Sequence, residues 1–238
     1  MPKLKKALLL SAGFGTRLRP ITLTTPKCLV EIAGSPLLEH WIRRLEKMGF
    51  SSLLVNTHYL SDQVEEYLLR RKKSSISIQI VHEKKLLGTA GTLLANRDFF
   101  KDSVGLLIHS DNYTKADLGG LMRAYEVRPK NCILTMLTFD SPDPQSCGVV
   151  ETSNQNVLIN FYEKVKNPPT NRANAAVYVF GEDFLDWLNN YGKDCSDFST
   201  EIIPKLKGKI STWHISDPYF DIGTPDALSK ARMLDHQL

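Results

Sequence analysis

The chain has 238 residues, of which 42% are hydrophobic and 24% are charged, and its formal net charge is +4. This balance is typical of a globular protein that buries a sizeable core, and it excludes a disordered chain, a collagen and a coiled coil. The excess of 30 Lys and Arg over 26 Asp and Glu is too small to predict nucleic-acid binding, although it suits a small anionic ligand.

Short apolar runs alternate with helix-period runs through the first 140 residues. The predicted strands are Lys6–Ser11, Leu53–Thr57, Ser77–Val81, Val104–His109 and Ile133–Phe139. The predicted helices are Pro36–Met48, Asp62–Arg71, Thr89–Phe99 and Asp117–Val127. This alternation predicts parallel strands joined by crossover helices, and such sheets bind their ligands at the carboxyl ends of the strands.

After about residue 140 the connections become shorter and the pattern changes. The predicted strands here are Gly148–Glu151, Val157–Tyr162, Ala175–Phe180, Ile210–Ile215 and Tyr219–Asp221. The predicted helices are Asp183–Asn189, Thr200–Leu206 and Pro225–Asp235. We therefore expect one α/β domain over residues 1–238, with a Rossmann-like, doubly wound, mostly parallel mixed sheet whose two halves are residues 1–140 and 141–238.

The cysteines and the N-terminal segment bear on the compartment. The four cysteines, Cys28, Cys132, Cys147 and Cys195, form no CxxC pair, so neither a zinc site nor a disulfide framework is predicted. The apolar run Ala7–Leu10 is much shorter than the roughly 7–15 apolar residues of a signal peptide or the roughly 20 of a membrane span. We expect a cytoplasmic protein with reduced thiols and no membrane partner.

A glycine-rich turn follows the first strand and reads Ser11-Ala12-Gly13-Phe14-Gly15-Thr16-Arg17. Gly13 and Gly15 permit a close approach of the backbone to a ligand, and successive N–H groups in such a turn can bind an anion. Leu18 breaks the dinucleotide-binding pattern, and the P-loop pattern is absent as well. With the Arg17 guanidinium and with Lys27 behind Pro26, the turn predicts a triphosphate cradle.

The segment Gly13-x-Gly15-Thr16-Arg17-x-x-Pro20, with Pro26-Lys27 after it, resembles the signature of the sugar-1-phosphate nucleotidyltransferases. Further segments resemble motifs of that family and occur in its order: Leu87–Gly91, Ser110–Asn112, Gly148–Glu151, Tyr162–Lys164, Asn174 and Phe220–Pro225. The resemblance covers nearly the whole chain. It implies the nucleotide-diphospho-sugar transferase type of fold and an enzyme that converts a nucleoside triphosphate and a sugar-1-phosphate to a nucleotide-sugar and pyrophosphate.

The resemblance also implies roles for individual residues. Arg17 and Lys27 are the implied catalytic cations, with Arg17 on the β- and γ-phosphates and Lys27 near the α-phosphate. Asp111 and Asp221 are the implied ligands of Mg²⁺, a hard ion that favours carboxylates and phosphate oxygens. The implied nucleotide-binding residues are Ser11, Ala12, Gly13, Gly15, Thr16, Gly88 and Thr89. The implied residues of the sugar-phosphate half, 141–238, are Gly148, Glu163, Lys164 and Asn174.

The base and the sugar are less closely specified than the reaction. Leu87–Gly91 is more similar to guanylyl-transferring members than to thymidylyl ones, and a carboxylate at Glu83 could accept from the N1–H and amine of guanine. We therefore expect GTP, with mannose-1-phosphate or a manno-heptose-1-phosphate. Thymidylyl or cytidylyl transfer to glucose-1-phosphate or another small phosphorylated acceptor stays open, as does a non-catalytic regulatory subunit that binds nucleotide-sugar.

Four further expectations follow from the resemblance. A chain of 238 residues has no room for the left-handed β-helix tail of longer members, so acetyltransferase chemistry is not expected. The product is expected to serve polysaccharide synthesis, and relatives are often oligomers, so a homo-oligomer stays open. Ser110 stands where the family commonly has Gly before the metal-binding Asp, which leaves its contribution to the site open.

Overall fold

The computed structural model describes residues 3–71 and 74–236. The chain folds into two compact units, each assembled from separate stretches of sequence. Of the described residues, the N-terminal unit comprises 5–71, 74–86, Ile108–Thr114 and 220–236. The C-terminal unit comprises residues 3–4, Leu87–Leu107 and Lys115–Tyr219.

The strands are, in chain order, β1 (Leu4–Leu10), β2 (Glu31–Ile32), β3 (Ser35–Pro36), β4 (Ser52–Thr57), β5 (Ser77–His82), β6 (Ser103–His109), β7 (Asn112–Thr114), β8 (Leu134–Asp140), β9 (Gly148–Thr152), β10 (Leu158–Glu163), β11 (Arg172–Phe180), β12 (Ile210–Ile215) and β13 (Tyr219–Asp221). The α-helices are α1 (Leu37–Lys47), α2 (Ser61–Arg70), α3 (Gly88–Ala95), α4 (Leu118–Glu126), α5 (Glu182–Tyr191) and α6 (Pro225–His236).

The N-terminal unit contains the parallel strands that the first half of the sequence predicts. β1 pairs with β4, and β4 pairs with β5, both in parallel. The middle of β1 and nearly all of β4 are buried, which explains their near-continuous apolar runs. In parallel strands the carboxyl ends share one edge, so the turn after β1 and the residues that end β4 and β5 come together there.

Short 3-10 turns, rather than strands or α-helices, carry the chain from β1 to β2. They span Thr16–Leu18, Ile21–Leu23 and Lys27–Leu29. An apolar cluster of the N-terminal unit lies beneath them, formed by Leu18, Val30, Ile32, Leu37, Tyr113, Ile222, Leu228 and Ala231. Burial of each large apolar side chain of this kind contributes about 1.5–3 kcal/mol, so the turns are held by packing rather than by long hydrogen-bond ladders.

The C-terminal unit has a mixed sheet. β8 pairs with β12 in parallel and with β11 antiparallel, while β9 pairs antiparallel with β10 and with β11. The register between β11 and β8 shifts between Asn174 and Tyr178, and Ala176 has a φ of 51°. This irregularity is typical of a β-bulge, which redirects the side chains on either side of it.

The predicted elements agree with the structure in type along most of the chain, and two of the predicted helices differ from it in form or length. The helix predicted at Thr200–Leu206 is present as a π-helical turn at Phe198–Ile202 followed by a 3-10 turn at Ile203–Leu206. Pro204, which has no N–H to donate, lies in the first turn of the 3-10 segment, where a missing donor is tolerated. The predicted helix Thr89–Phe99 ends early, since α3 stops at Ala95 and a 3-10 turn follows at Arg97–Phe100.

Candidate active site

The glycine turn takes a conformation that requires glycine at one position and leaves open space at another. Gly15 has a φ of +63°, and a Cβ there would lie 2.8 Å from Cγ2 of Thr22. The Thr22 hydroxyl donates to the Gly15 carbonyl at 2.7 Å. At Gly13, by contrast, no atom lies within 4 Å of an added Cβ. The turn is therefore locked at Gly15 and accessible at Gly13, where a ligand can approach the backbone.

Two cations and two carboxylates meet beside this turn in the N-terminal unit. The Lys27 ammonium lies 2.5 Å from Oδ2 of Asp111 and 3.3 Å from Oδ1 of Asp221. The Arg17 guanidinium lies 3.3 Å from Oδ2 of Asp221. The side chain of Lys27 is 11% exposed, whereas those of Arg17 and Asp221 are 65% and 52% exposed. The cluster thus has a shielded cation at its base and an accessible cation and carboxylate above.

Packing beneath the cluster explains how residues from four segments meet. The apolar cluster buries Leu18, Tyr113 and Ile222, which lie one or two residues from Arg17, Asp111 and Asp221. The backbone N–H of Ile222 donates to the Asp111 carbonyl at 3.0 Å, which joins the two carboxylate segments directly. The sequence places one buried apolar residue beside each charged one, and burial of the former sets the position of the latter.

Burial and the neighbouring opposite charges shift the pKa values of Lys27 and Asp111 in opposite directions, and the charges have the larger effect. Burial acts to lower the pKa of Lys27, but the Asp111 and Asp221 carboxylates outweigh it and raise that pKa above its ordinary value. Burial acts to raise the pKa of Asp111, but the Lys27 ammonium and then His109 hold it below its usual range. Both groups are therefore charged at neutral pH.

The donor set fits a hard divalent cation. Asp111 and Asp221 present carboxylate oxygens to the same ammonium, so these oxygens converge on one small volume. Mg²⁺ is commonly bound by one or two carboxylates together with phosphate oxygens and waters. Among residues 3–71 and 74–236, no three His, Cys, Asp or Glu side chains gather into a complete protein-only metal site. The arrangement suits an ion that arrives with a phosphate ligand.

The remaining nucleotide-side residues of the N-terminal unit occupy different environments. Ser11 and Ala12 are buried, whereas Gly13 and Thr16 are exposed. Glu83 lies just beyond β5 and is 4% exposed, and its carboxylate accepts from Nδ2 of Asn56 at 2.9 Å. An ionised carboxylate has about four lone-pair sites, so it can accept from a base in addition to protein donors.

Gly88 and Thr89 begin α3 in the C-terminal unit. Gly88 has a φ of +78°, and a Cβ there would clash with the Ser196 carbonyl, so no other residue fits this turn. That carbonyl accepts from the N–H of Ala90 at 2.9 Å, and the Thr89 hydroxyl accepts from the N–H of Phe198 at 2.7 Å. The segment at 88–91 is thus held by the turn at 196–198.

The predicted sugar-side residues also lie in the C-terminal unit. Gly148 opposes Glu163 across β9 and β10, and a Cβ at Gly148 would lie 2.7 Å from Oε2 of Glu163. The Glu163 carboxylate is 3.5 Å from the Lys164 ammonium, and burial raises its pKa despite that cation. Asn174 donates to the Tyr178 hydroxyl at 2.6 Å and accepts from the N–H of Ala176 at 2.9 Å. Local contacts thus set the orientation of the Asn174 amide.

The sequence-based prediction did not include three residues that hold these segments. Asn56 is the last residue but one of the buried strand β4, and it contacts Ser11 and Glu83. Tyr178 is fully buried, and its ring lies 4.4 Å from that of Phe198. The Glu201 carboxylate accepts from the N–H groups of Ser196 and Asp197 at 2.6 and 2.7 Å. A polar residue at the carboxyl end of a buried strand was a sequence feature that could have identified Asn56.

Parallel strands that end on a glycine turn, beside clustered cations and carboxylates, are typical of α/β proteins that bind phosphate esters. The chain belongs to the nucleotidyl transferase family, whose model matches residues 6–237. This match confirms the resemblance inferred from the motifs.

The chain is also similar in sequence to individual nucleotidyltransferases from other organisms. Mannose-1-phosphate guanyltransferase beta-A of Xenopus laevis is 29% identical over 225 residues, which cover 92% of this chain and 61% of that protein. UTP–glucose-1-phosphate uridylyltransferase of Synechocystis is 30% identical over 216 residues, which cover 84% of this chain and 55% of that protein. The chain thus spans about three fifths of the length of these relatives.

Solved structures confirm the predicted fold class. HddC from Yersinia pseudotuberculosis, complexed with GMP-PN, matches with a TM-score of 0.81 and 21% identity over 97% of this chain and 99% of that one. A putative glucose-1-phosphate thymidylyltransferase from Bacillus anthracis, in complex with a sucrose, has the same TM-score and identity over 98% and 96%. Separately, no helix within residues 3–71 and 74–236 has the length and apolar run needed to cross a membrane.

Proposed function

We propose that this protein is an enzyme that transfers a nucleotidyl group from a nucleoside triphosphate to a sugar-1-phosphate, and that it releases pyrophosphate. The observation that carries the proposal is the placement of the Lys27 ammonium between the Asp111 and Asp221 carboxylates, with the Arg17 guanidinium on the other oxygen of Asp221. Membership of the nucleotidyl transferase family supports the same reaction class.

The reaction brings two polyanions together, and this explains the need for cations. A phosphate oxygen of the sugar-1-phosphate attacks the α-phosphorus in line, and the bond from that phosphorus to the bridging oxygen of pyrophosphate breaks. Little covalent work falls to the protein, so positioning and charge neutralisation supply the catalysis. In the proposal the exposed Arg17 binds the β- and γ-phosphates, and Lys27 neutralises the charge that develops at the α-phosphate.

The proposed cofactor is Mg²⁺, held by Asp111 and Asp221 together with phosphate oxygens. When bound, the ion supplies positive charge to the triphosphate and to the leaving pyrophosphate. The protein's own residues orient these two carboxylates, because the Lys27 ammonium contacts both of them. The backbone N–H groups at Gly13, Gly15 and Thr16 complete the proposed triphosphate cradle next to Ser11 and Ala12.

The proposed base is guanine, and the proposed acceptor is mannose-1-phosphate or a manno-heptose-1-phosphate. The names of relatives support both, since several are mannose-1-phosphate guanylyltransferases and one structural neighbour was solved with GMP-PN. The buried Glu83 carboxylate supports guanine on chemical grounds, because only a base with adjacent N–H donors can use it fully.

The sugar side of the proposal rests on residues 141–238. Glu163 is suited to accept from two neighbouring hydroxyls, Lys164 to neutralise the sugar phosphate, and Asn174 and the Gly148 backbone to bind hydroxyls. Gly88 and Thr89 are proposed to line the nucleoside. We further propose that the protein is cytoplasmic, that its product serves polysaccharide synthesis, and that it forms a homo-oligomer.

Pyrophosphate release with Mg²⁺ tests the proposal across a grid of triphosphates and sugar-1-phosphates. We expect the highest kcat/KM with GTP and a manno-configured sugar phosphate. A best pair of dTTP or UTP with glucose-1-phosphate would keep the reaction and reject the proposed base, and the uridylyltransferase relative makes this the second candidate. Binding of nucleotide-sugar with no turnover of any pair would reject the enzyme and favour a regulatory subunit.

A further inference from the structure

A continuous buried hydrogen-bonded chain runs through four residues of the N-terminal unit. The Glu83 carboxylate accepts from Nδ2 of Asn56 at 2.9 Å, and Oδ1 of Asn56 accepts from the backbone N–H of Ser11 at 2.7 Å. The hydroxyls of Ser11 and Ser110 are 2.9 Å apart. We name this set, Glu83, Asn56, Ser11 and Ser110, the buried relay.

The relay joins the parts of the proposed site in a fixed order. Glu83 is the proposed base-reading carboxylate, Ser11 begins the glycine turn, and Ser110 immediately precedes Asp111. Each of the four residues is at most 8% exposed. Because buried polar groups are costly to leave without partners, the relay has few alternative arrangements.

The direction of the hydrogen bonds at Ser110 is determined by its second contact. The Ser110 hydroxyl is 2.7 Å from the Leu10 carbonyl, which can only accept. The Ser110 oxygen can therefore accept from the Ser11 hydroxyl. Glycine at 110, the residue that the family commonly has there, cannot make either contact. The backbone N–H of Ser110 donates to the same Leu10 carbonyl at 3.1 Å, and glycine would keep that bond, so the Ser110 hydroxyl adds the contact to the Ser11 side chain.

Glu83 is also linked to the tip of the same turn, through His58 and Phe14. Nδ1 of His58 lies 2.7 Å from the Glu83 carbonyl, and the ring of Phe14 packs edge-on against the His58 ring at 5.5 Å. Glu83 therefore reaches the start of the turn through Asn56 and its tip through His58.

We infer that Asn56 and Ser110 are positioning residues. They couple the binding of a purine base at Glu83 to the binding of the triphosphate by the glycine turn. The inference rests on the proposed function for its ligand, a purine nucleoside triphosphate. Neither residue touches the ligand. Asn56 orients Glu83 and Ser11 together, and Ser110 sets the distance from the turn to Asp111.

The test uses the full chain with Asn56→Ala, Ser110→Ala and a matched control, Ser211→Ala. Ser211 forms a buried hydroxyl pair of the same kind, 2.7 Å from the Thr135 hydroxyl in the C-terminal unit. The first measurement is amide hydrogen exchange without ligand. We expect exchange of the Ser11 amide, whose N–H donates to Oδ1 of Asn56, to rise roughly tenfold in Ser110→Ala and in Asn56→Ala, the change that loss of one buried hydrogen bond brings. Ser211→Ala leaves that amide unchanged.

The second measurement is calorimetric binding of GTP and of ITP, which lacks the exocyclic amine. We expect roughly tenfold weaker GTP binding in both relay variants. In Asn56→Ala the ratio of the GTP affinity to the ITP affinity falls toward one, because Asn56 contacts Glu83 directly. In Ser110→Ala this ratio stays as in the wild type, because Ser110 contacts the glycine turn and not Glu83. KM for the sugar-1-phosphate stays as in the wild type. Loss of folded protein alone would lower the active fraction and leave these ratios untouched.

The outcomes separate the relay from the proposed reaction. Exchange of the Ser11 amide and GTP affinity that change no more than in Ser211→Ala would overturn the relay while the reaction stands. If the Ser11 amide exchanges faster in Ser110→Ala but the wild-type chain forms no pyrophosphate with any pair of substrates, the positioning role stands and the proposed reaction is rejected. If Asn56→Ala fails to fold, Ser110→Ala, which removes one oxygen atom, decides the matter by the same two measurements.

Discussion

The Lys27 ammonium and the Asp111 carboxylate, 84 residues apart in sequence, are joined at 2.5 Å. Removal of the ammonium in Lys27→Met takes away the cation that Asp111 and Asp221 share, and leaves only the exposed Arg17 guanidinium beside Asp221. We expect kcat to fall by a factor of about 10²–10³, as for other groups that stabilise developing charge. We also expect a loss of about 2 kcal/mol in the free energy of unfolding at pH 7, since the pair is only partly buried.

The pH dependence of this loss follows from the direction of the pKa shifts. The pKa of Asp111 is lowered in the fold, so its contribution is complete above the unfolded pKa of about 3.9 and is lost as the pH falls through the lower folded value. The raised pKa of Lys27 keeps the cation charged at neutral pH. Urea unfolding at pH 3 and 7 should show the difference between the wild type and Lys27→Met shrinking at the lower pH.

An exposed ion pair provides the control for that measurement. Lys230 pairs with Asp226 at 2.7 Å, one turn along α6, with both side chains more than half exposed. Lys230→Met should change neither turnover nor the pH dependence of stability, because exposed pairs contribute little. Equal effects in Lys27→Met and Lys230→Met would contradict the assignment of Lys27.

Arg17→Ala should lower kcat/KM by a factor of about 10²–10³ and leave stability nearly unchanged. The guanidinium is 65% exposed and contacts Asp221 at 3.3 Å, so its loss costs the fold little. The loss in rate reflects the missing charge on the leaving pyrophosphate. Arg19→Ala, an exposed arginine two residues away, is the matched control. Normal steady-state pyrophosphate release in Arg17→Ala would remove Arg17 from the site.

Gly15→Ala and Gly34→Ala separate backbone strain from packing. Both glycines have a positive φ, +63° and +67°, so each substitution should cost about 1 kcal/mol through strain. A Cβ at Gly34 meets nothing within 4 Å, whereas one at Gly15 lies 2.8 Å from Thr22 and 3.2 Å from Cβ of Lys27. We expect Gly15→Ala to cost roughly 1–3 kcal/mol more in chemical denaturation, and to reduce turnover by moving Lys27. Equal costs would show that the turn adapts.

Glu201→Gln should weaken nucleoside triphosphate binding without contact between Glu201 and the ligand. The N–H groups of Asp197 and Ser196 lower the pKa of the Glu201 carboxylate, and the same turn holds the segment at 88–91. Its contribution is therefore present above the unfolded pKa and is lost as the pH falls through the lower folded pKa. KM for the triphosphate should rise several-fold in Glu201→Gln, because a neutral amide accepts more weakly than a carboxylate. Glu126→Gln, on an exposed helix end, should leave it unchanged.

Cys28 should resist alkylation although it adjoins Lys27. Burial raises the pKa of its thiol to about 12, so almost no thiolate forms at pH 8. Cys132 and Cys195 are also buried, whereas Cys147 is partly exposed. Iodoacetamide followed by mass spectrometry should label Cys147 first in the native chain and all four cysteines in urea. Rapid native labelling of Cys28 would show that the turn behind Lys27 opens.

Some elements could be predicted from the sequence and others could not, and the difference has physical reasons. Buried parallel strands such as β4 are recognisable by their apolar runs, and their type was predicted correctly. The helix predicted at Thr200–Leu206 is present as a π-helical turn and a 3-10 turn, a distinction that composition and periodicity do not reveal. The 3-10 turns between Thr16 and Leu29 were not predicted, because packing on the apolar cluster, rather than periodicity, determines them.

The sequence by itself determined the type of most elements, the family, and which charged and glycine residues belong to the candidate site. These properties are local: periodicity, turn chemistry and motif spacing can be read without knowledge of partners. Only the tertiary structure decided that Lys27 lies between Asp111 and Asp221, and that Asn56 and Ser110 join Glu83 to the glycine turn. Such contacts span 27 to 194 residues, and their geometry depends on how the buried side chains between them pack.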